Sequence, residues 1–354
     1  MSALTRGFGR RLALVWLGWV WVPACGLDGV EPEGFGSGPR RGTLAEGAFD
    51  PLAAPLVYTS DETGDPEVWI RERGTRPKNL TQNPASDSWA TVSRSGERIV
   101  FQSDRAGALD LWTMTRAGGD ARRLTWADEP EMLPALSPAA DRVAYLRLDS
   151  SGGDGPGELH LYLLDLSDGG SRRITDDPLG VPSPLDWMPD GGGVAFARRR
   201  AGGGADLFLW SARDGSETLL VHGAGELGAP AFSPDGERLA FQTDYGATSE
   251  ITVLELSGMT RRAVVARGQS WDPRWSGDGR WLAYTTRTRS RWRRWGLNLA
   301  VTPVDGPQPT EWLFRGEGNQ NGARWVGGGA PWGSAFPVEA HRKPGGSRAS
   351  PSDN

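Results

Sequence analysis

One short phrase recurs along this chain of 354 residues, and it constrains the fold more than any other feature of the sequence. The clearest copy, APAFSPDGERLAF, occupies 229–241, and PRWSGDGRWLAY occupies 273–284. Further copies occupy 90–101, 134–145, 185–196 and, truncated, 323–329. The apolar anchors of the copies stand 44, 51, 45, 43 and 50 residues apart, and they are Val92, Leu136, Trp187, Phe232, Trp275 and Trp325. A strand-rich period in the forties is typical of propellers and related repeat arrays.

Each copy predicts two apolar strands joined by a tight turn. In the clearest copy Pro234, Asp235 and Gly236 form the turn, because Pro presets φ, Asp bonds its own backbone and Gly tolerates positive φ. A third strand with alternating apolar residues is predicted at 67–70, 110–114, 158–166, 206–210 and 250–256. A fourth strand is predicted at 78–81, 122–125, 172–175, 218–221, 262–265 and 311–314. Four short antiparallel strands per repeat are typical of one propeller blade.

The two ends of the repeat region complement each other. The first repeat begins near Pro55 with a second strand and has no first strand, while the truncated copy at 323–329 is a first strand without a successor. We therefore expect an all-β, six-bladed β-propeller over 53–329, with a C-terminal strand that completes blade one and closes the ring. A seven-bladed ring with one degenerate blade is the alternative, although the sequence has no spare repeat for it.

The hairpin phrase, with its S-P-D-G turn, and the strand ending RRLT resemble the WD40-like repeats of the TolB family of β-propellers. The resemblance covers about 53–329 and implies a propeller that binds a partner at one mouth of its central channel. Two copies depart from the pattern at the turn. Ala139 and Ala140 replace Asp-Gly in one copy, and Gly277 replaces Pro in another.

The first 25 residues have the features of a secretory signal that ends in a lipidation site. Three arginines precede the apolar run 12–22, which is too short to span a bilayer. VPAC at 22–25 resembles a bacterial lipobox, so Cys25, the only cysteine, is the expected lipid-modified residue. Ordinary cleavage near Ala24 and an uncleaved anchor are the alternatives.

The remaining segments and the net charge constrain the location and the partners of the protein. Residues 26–52 are rich in Gly, Pro and Glu and predict a flexible tether, and 330–354 predict a disordered tail. Gly26 after Cys25 favours the outer membrane, so we expect an exported bacterial lipoprotein of the periplasm or outer membrane. The net charge of −5 argues against nucleic-acid binding, and a closed ring needs no second copy, so we expect a monomer.

No residue pattern in the chain indicates catalysis, a metal or a cofactor. The three histidines, His160, His222 and His341, are not spaced as metal ligands, and no G-x-S-x-G nucleophile motif occurs. The Asp residues of the hairpin turns are explained by the turns themselves. We therefore expect no catalytic residue, no metal site and no cofactor.

The loops between the fourth strand of one blade and the first strand of the next are the strongest candidate for recognition. In propellers these loops surround one mouth of the central channel, and here they are acidic, amide-rich and carry two Trp. We call these residues the predicted rim: Asp87, Ser88, Trp89, Glu129, Glu131, Met132, Asp176, Asp177, Glu226, Gln269, Ser270, Trp271, Asn319, Gln320 and Asn321. A polar rim with aromatic anchors is typical of a protein or glycan binding surface. The alternative is that these residues only cap strand ends.

A second candidate is the basic and aromatic segment RTRSRWRRW at 287–295, between the second and third strands of blade six. Its side chains could bind anionic lipid or polymer, and the central ones are Arg289, Arg291, Trp292, Arg293 and Arg294. A solvated loop that offsets an acidic surface is the interpretation we prefer.

Two functions from different classes follow. The first is a non-catalytic scaffold at the cell envelope that binds a protein or glycan at the predicted rim. The second is a polysaccharide lyase or glycosidase that uses carboxylates of the same face, with Glu129, Glu131, Asp176 and Asp177 as first candidates. We favour the scaffold, because catalysis needs convergent acid, base or nucleophilic groups that the sequence does not place together.

Overall fold

The structure is a computed structural model that describes residues 50–150, 157–289, 295–306, 310–314 and 318–326. These residues contain twenty-four β-strands and no helix. The first twelve strands are β1 Leu56–Ser60, β2 Glu67–Arg71, β3 Lys78–Asn79, β4 Asp87–Val92, β5 Arg98–Ser103, β6 Asp110–Thr115, β7 Arg122–Arg123, β8 Glu131–Leu136, β9 Arg142–Asp149, β10 Glu158–Asp165, β11 Ser171–Arg173 and β12 Asp186–Trp187. The remaining strands are β13 Gly193–Arg199, β14 Ala205–Ser211, β15 Glu217–Val221, β16 Glu226–Phe232, β17 Arg238–Asp244, β18 Ser249–Glu255, β19 Thr260–Gly268, β20 Ser270–Trp275, β21 Trp281–Arg289, β22 Trp295–Pro303, β23 Glu311–Phe314 and β24 Gln320–Trp325.

The strands pair in antiparallel groups of four, as the repeat predicts. Four sheets have the orders β24-β1-β2-β3, β4-β5-β6-β7, β11-β10-β9-β8 and β20-β21-β22-β23. A fifth sheet of eight strands contains two such groups, β12 to β15 and β16 to β19, joined by one parallel bridge between Ala205 and Glu226. The C-terminal strand β24 pairs with β1 from Leu56 to Ser60, which is the pairing that the truncated copy predicts.

The first strand of each group is its inner strand, and the inner strands are β24, β4, β8, β12, β16 and β20. Each contacts the inner strands of neighbouring groups, and β24 contacts both β4 and β20. The apolar core lies between groups rather than within them. Six clusters of buried side chains in the described residues each join two consecutive groups. Tyr145 and Leu111 belong to one of these clusters, and Leu56 and Val301 belong to another, which joins the last group to the first.

The hairpin turns have the geometry that the sequence predicts. Ser233 Oγ accepts the Arg238 N–H at 2.9 Å, and Asp235 Oδ1 accepts the Glu237 N–H at 3.0 Å, while Gly236 has a φ of 74°. The copy with Ala in place of Asp-Gly makes the same turn, and Ala140 takes the left-handed φ of 57°. The turn residues therefore satisfy one another's hydrogen-bonding groups.

The outer strands of three groups are shorter than predicted. The sequence extends them to Thr81, Thr125 and Thr175, but β3, β7 and β11 end earlier. The three Thr hydroxyls instead accept the backbone N–H groups of Val68, Leu111 and Leu161, each at 3.0 Å. A side-chain oxygen thus takes the place of a ladder carbonyl where each outer strand leaves the sheet.

Candidate functional site

The segments that precede the inner strands lie at one end of the sheets, and we call the surface they form the connector face. Because strands alternate in direction within each sheet, the turns between second and third strands lie at the same end. The predicted rim residues lie at the starts of β4, β8, β16, β20 and β24 or in the connectors ahead of the inner strands. The fold therefore places the predicted rim on one face.

The residues of the predicted rim fall into three sets by burial. Six of its residues are buried, and they are Asp87, Ser88, Glu131, Met132, Ser270 and Gln320. Seven are half-buried, and they are Trp89, Glu129, Glu226, Gln269, Trp271, Asn319 and Asn321. Asp176 and Asp177 are exposed. All six buried residues lie at strand starts, where neighbouring groups pack against them, and both exposed residues lie in a connector.

Asp87 is a buried anchor for the start of β4. It is 0% exposed, and its Oδ2 accepts hydrogen bonds from Arg105 Nη2 at 2.7 Å and from Asn83 Nδ2 at 2.5 Å. The Arg105 guanidinium in turn lies 4.8 Å from the centre of the Trp112 ring. A buried carboxylate needs such charged and hydrogen-bonding partners, so the side chain of Asp87 is committed to holding the strand.

Glu131 occupies the corresponding position in β8 and is 2% exposed. Burial raises the pKa of its carboxyl, and the Asp110 carboxyl nearby raises it further, while the hydroxyls of Thr125 and Tyr145 lower it. Burial, with Glu131 beside it, also raises the pKa of Tyr145. This environment favours the neutral carboxylic acid. A general acid acts in this form, whereas an exposed acidic side chain that contacts a partner is ionised.

Several inner strands contain a bulge that the sequence does not reveal. The pairing shifts register after the first two or three residues of each strand. A residue at each shift has a left-handed φ of 46° to 53°, namely Trp89, Leu133, Ala229 and Asp272. Their N–H groups donate to side chains of other strands and connectors, namely Thr59, Gln102, Ser183 and Gln242. These bonds stabilise a kink in the inner strands just below the connector face.

Aromatic side chains on the connector face differ from the prediction in one respect. Trp89 is half-buried and packs against the cluster that contains Met132, Leu133 and Leu185. Trp126 was not predicted, yet it is 66% exposed in the connector between β7 and β8. Its position directly after the strand ending RRLT is the signal that would have identified it. Tyr245, in the turn between β17 and β18, is 39% exposed at the same end of the sheets.

The remaining sequence candidates are separated in space or lie outside the described residues. His160 is buried in β10, and His222 is exposed with its Nδ1 3.1 Å from Asp206 Oδ2. No group of His, Cys, Asp or Glu suited to a metal ion occurs in the described part of the chain. Cys25, His341 and the segment 290–294 lie outside the described residues, as do the side chains of Arg289, Arg291, Trp292, Arg293 and Arg294.

The two ends of the chain are likewise outside the described residues, and they include the predicted signal, most of the predicted tether and the predicted tail. Within the described ranges no helix is long and apolar enough to cross a membrane.

A cavity of about 210 Å³ lies among the ends of the inner strands, away from the connector face. Its lining includes three charged side chains, Asp186 of β12, Arg274 of β20 and Arg324 of β24. Each of them directly precedes the apolar anchor of its repeat copy, a position for which the repeat predicts only a strand residue.

Comparison with known proteins gives partial matches by sequence. No family model matches the chain. A protein named TolB homolog from Chlorobium luteolum is 27% identical over 168 residues, which cover 47% of this chain and 36% of that protein. An uncharacterized protein of Agrobacterium fabrum is 28% identical over 34% of this chain and 42% of its own length. An uncharacterized peptidase of Bacillus subtilis is 30% identical over 54% of this chain and 26% of its own length. The chain thus spans less than half the length of these relatives.

Comparison of structures covers more of the chain. TolB from Acinetobacter baumannii matches with a TM-score of 0.65 and 18% identity, over 78% of this chain and 67% of that one. A TolB structure from Agrobacterium tumefaciens, described as putative, matches with a TM-score of 0.57 and 19% identity, over 76% and 91%. An oligogalacturonate lyase in complex with manganese matches with a TM-score of 0.53 and 13% identity, over 71% and 72%. At these identities the likeness establishes the fold, and the described part of this chain is a TolB-like β-propeller.

Proposed function

We propose that this protein is a non-catalytic binding scaffold of the bacterial cell envelope that holds a protein or glycan partner at its connector face. The observation that carries the proposal is the exposed Trp126 on a face that also presents the exposed carboxylates of Asp176 and Asp177. Half-buried Trp89 and Trp271 lie on the same face. Aromatic anchors surrounded by polar groups are the composition of a recognition surface.

The scaffold in this proposal is a monomeric six-bladed ring. Three observations support the ring: β24 pairs with β1, inner strands contact one another from β24 round to β20, and an apolar cluster joins the last group to the first. Closure would leave the connectors on a rigid frame, because no sheet could splay away from its neighbours. A rigid frame lowers the entropy lost on binding.

The anchored location is part of the same proposal. Cys25 would carry the lipid, and the tether at 26–52 would hold the propeller away from the membrane. Metabolic labelling with a clickable fatty acid should label the wild-type chain and leave Cys25→Ala unlabelled. Equal labelling of both chains, or of neither, would contradict lipidation while leaving the binding proposal intact.

A carbohydrate-active enzyme is the second candidate, and the structural match to an oligogalacturonate lyase favours it. Among the suspected carboxylates, Glu131 has the raised pKa that a general acid needs. Its 2% exposure places it beneath the face rather than on it, and Asp176 and Asp177 are in solvent. This arrangement favours binding over turnover.

The test is an affinity capture from envelope extract with the full chain as bait. The face variant is Trp126→Ala with Asp176→Ala, since both residues are exposed and neither change should disturb the fold. The matched control is Leu219→Ala with Met259→Ala, which removes exposed apolar side chains elsewhere. A partner bound by wild type and control but absent from the face variant supports the scaffold.

The enzyme alternative is tested in parallel by incubating the chain with acidic polysaccharides and measuring new chain ends. Cleavage that disappears in Glu131→Gln would establish the alternative and reject the scaffold. Equal capture by the face variant and the control would place binding elsewhere on the molecule.

A further inference from the structure

The cavity among the ends of the inner strands is distinct from the connector face. Its lining residues include Thr91, Ala135, Asp186, Ala231, Arg274 and Arg324, which are the penultimate residues of the six inner strands. The connectors precede these strands, so the cavity lies at the opposite end of the strands from the predicted rim. It is therefore a separate candidate for binding, with its own chemistry.

Two guanidinium groups line this cavity, and one carboxylate holds both of them. Asp272 Oδ1 lies 2.8 Å from Arg274 Nη2, and Asp272 Oδ2 lies 3.1 Å from Arg324 Nη1. Asp272 is 4% exposed and is the left-handed bulge residue of β20, with a φ of 52°. A single carboxylate that bridges two guanidiniums balances only one of their two charges.

The buried guanidinium of Arg274 has unused hydrogen-bonding capacity. This residue is 6% exposed, and its Nη1 donates to the carbonyls of Pro230 and Pro273 at 2.8 and 3.2 Å. Its Nε makes no hydrogen bond to any described residue. A buried N–H without a partner is costly, and it indicates a missing acceptor.

Asp186 is the acid in the cavity lining, but among the described residues it forms no ion pair that would neutralise the second guanidinium. Its Oδ2 accepts the Phe232 N–H at 2.7 Å, and no ion pair within 4.0 Å joins it to either guanidinium in the described structure. Burial raises the pKa of Asp186, although Arg274 and Arg324 oppose that rise. When Asp186 is protonated, the cavity carries a net positive charge.

The charge environment of Arg324 also favours a bound anion. Burial lowers its pKa to about 10, and the like charge of Arg274 contributes to the decrease, while Asp272 opposes it. An anion bound near two neighbouring guanidiniums stabilises the charge of both. Paired guanidiniums match the two oxygens of a carboxylate in geometry as well as in charge.

We propose that this cavity binds a small carboxylate, held by Arg274 and Arg324, with the carboxyl of Asp186 in the same lining as a hydrogen-bond donor. The carboxylate belongs either to a free small molecule or to an acidic side chain of a bound peptide. Asp272 keeps the guanidiniums oriented and leaves their remaining N–H groups to the ligand.

The experiment titrates the purified full chain with sodium acetate, sodium glutarate and the blocked tripeptide Gly-Glu-Gly at constant ionic strength. Binding is measured by calorimetry and by the rise in melting temperature. We expect saturable binding that Arg324→Gln weakens about tenfold or more, because a charge-assisted contact is lost. The matched control is Arg123→Gln, which removes a similarly exposed arginine that pairs with buried Asp110 away from the cavity. Its affinity should equal that of wild type.

Asp186→Asn provides a second readout that does not depend on removing a guanidinium. The amide mimics the protonated acid, so the affinity of this variant for carboxylate should not change with pH. Wild-type affinity should fall as the pH is raised and Asp186 ionises. Binding of acetate or glutarate identifies a free ligand, and binding of the peptide alone identifies a partner side chain.

Two results would overturn the proposal. One is that chloride at matched ionic strength raises the melting temperature as much as the carboxylates do. The other is that Arg324→Gln and the control bind carboxylate equally. Neither result would bear on binding at the connector face, so the scaffold proposal and the cavity proposal are tested independently.

Discussion

The indole of Trp187 is expected to fix one of the weakest inner strands in place. Strand β12 has only two residues and pairs with β13 through Asp186 and Trp187 alone. Trp187 is 4% exposed, and its Nε1 donates to the Ala135 carbonyl of β8 at 2.9 Å. Because β12 has so few ladder bonds, this hydrogen bond across two groups is a large part of its attachment. Trp187→Phe removes it and keeps an aromatic ring.

The size of the effect follows from what the substitution removes. A buried hydrogen bond lost on one side costs about 1–2 kcal/mol, because the Ala135 carbonyl loses its donor. The smaller ring leaves unfilled volume that costs about 1 kcal/mol. The Arg142 guanidinium, 5.2 Å from the centre of the Trp187 ring, loses part of a cation–π contact. Together these give about 2–3 kcal/mol, or a melting temperature lowered by roughly 4–6 °C in a domain of this size.

The assay is urea unfolding followed by far-ultraviolet circular dichroism, with calorimetry for the melting temperature. Trp275→Phe is the matched variant, since Trp275 Nε1 donates to the Ala231 carbonyl at the same distance of 2.9 Å. Trp126→Phe is the control, since its indole is 66% exposed and its loss should change stability by less than about 0.5 kcal/mol. If Trp187→Phe behaves like this control, the indole hydrogen bond does not hold β12.

Three further predictions concern single side chains. Ala140→Gly should stabilise the protein by about 0.5–1 kcal/mol in urea unfolding, because Gly removes the strain of an Ala in the left-handed conformation. The strain energy removed exceeds the cost of the conformational entropy that Gly adds to the unfolded chain. Asp87→Asn should destabilise it by about 2 kcal/mol, a value that allows for the partial exposure of Arg105, because it breaks a buried ion pair; unchanged melting would contradict this. The raised pKa of Glu131 means that the folded protein holds this proton more tightly than the unfolded chain does, so stability should fall as pH rises through the raised value. Glu131→Gln should flatten that fall, and melting temperatures measured from about pH 5 to about pH 8 would check it.

The sequence predicts the strands of this fold well because the repeat reports directly on local structure. The phrase around Phe232 contains a strand, a turn with residues suited to it, and a second strand, and all three occur where predicted. The outer strands are less accurate, since the bond from Leu111 N–H to Thr125 depends on a side chain rather than on strand propensity. A pattern of apolar residues does not show where a side-chain oxygen takes the place of a ladder carbonyl.

The candidate site is predicted less completely, because polarity in a sequence does not separate exposed from buried. Asp87 and Glu131 look like rim carboxylates, yet neighbouring groups cover them. Trp126 directly follows a predicted strand and is absent from the predicted rim, yet its side chain is in solvent. The charged cavity had a signal that only the assembled groups explain. A charge directly precedes an anchor Trp at Asp186, Arg274 and Arg324, and the six inner strands bring those positions together.

The same inner strands that carry both proposed sites also keep them apart. At the connector face their first residues are fixed by buried contacts such as the one between Asp87 and Arg105, and half-buried Trp89 packs against the apolar cluster below. At the other end the cavity opens among their penultimate residues, with its own charges held by Asp272. Because the two sites share no described ion pair, changes at one should leave binding at the other unaltered. Combining Trp126→Ala with Arg324→Gln should therefore remove partner capture and carboxylate binding additively. A partner whose capture depends on Arg324 would instead have to extend an acidic group into the cavity, which would join the two sites into one.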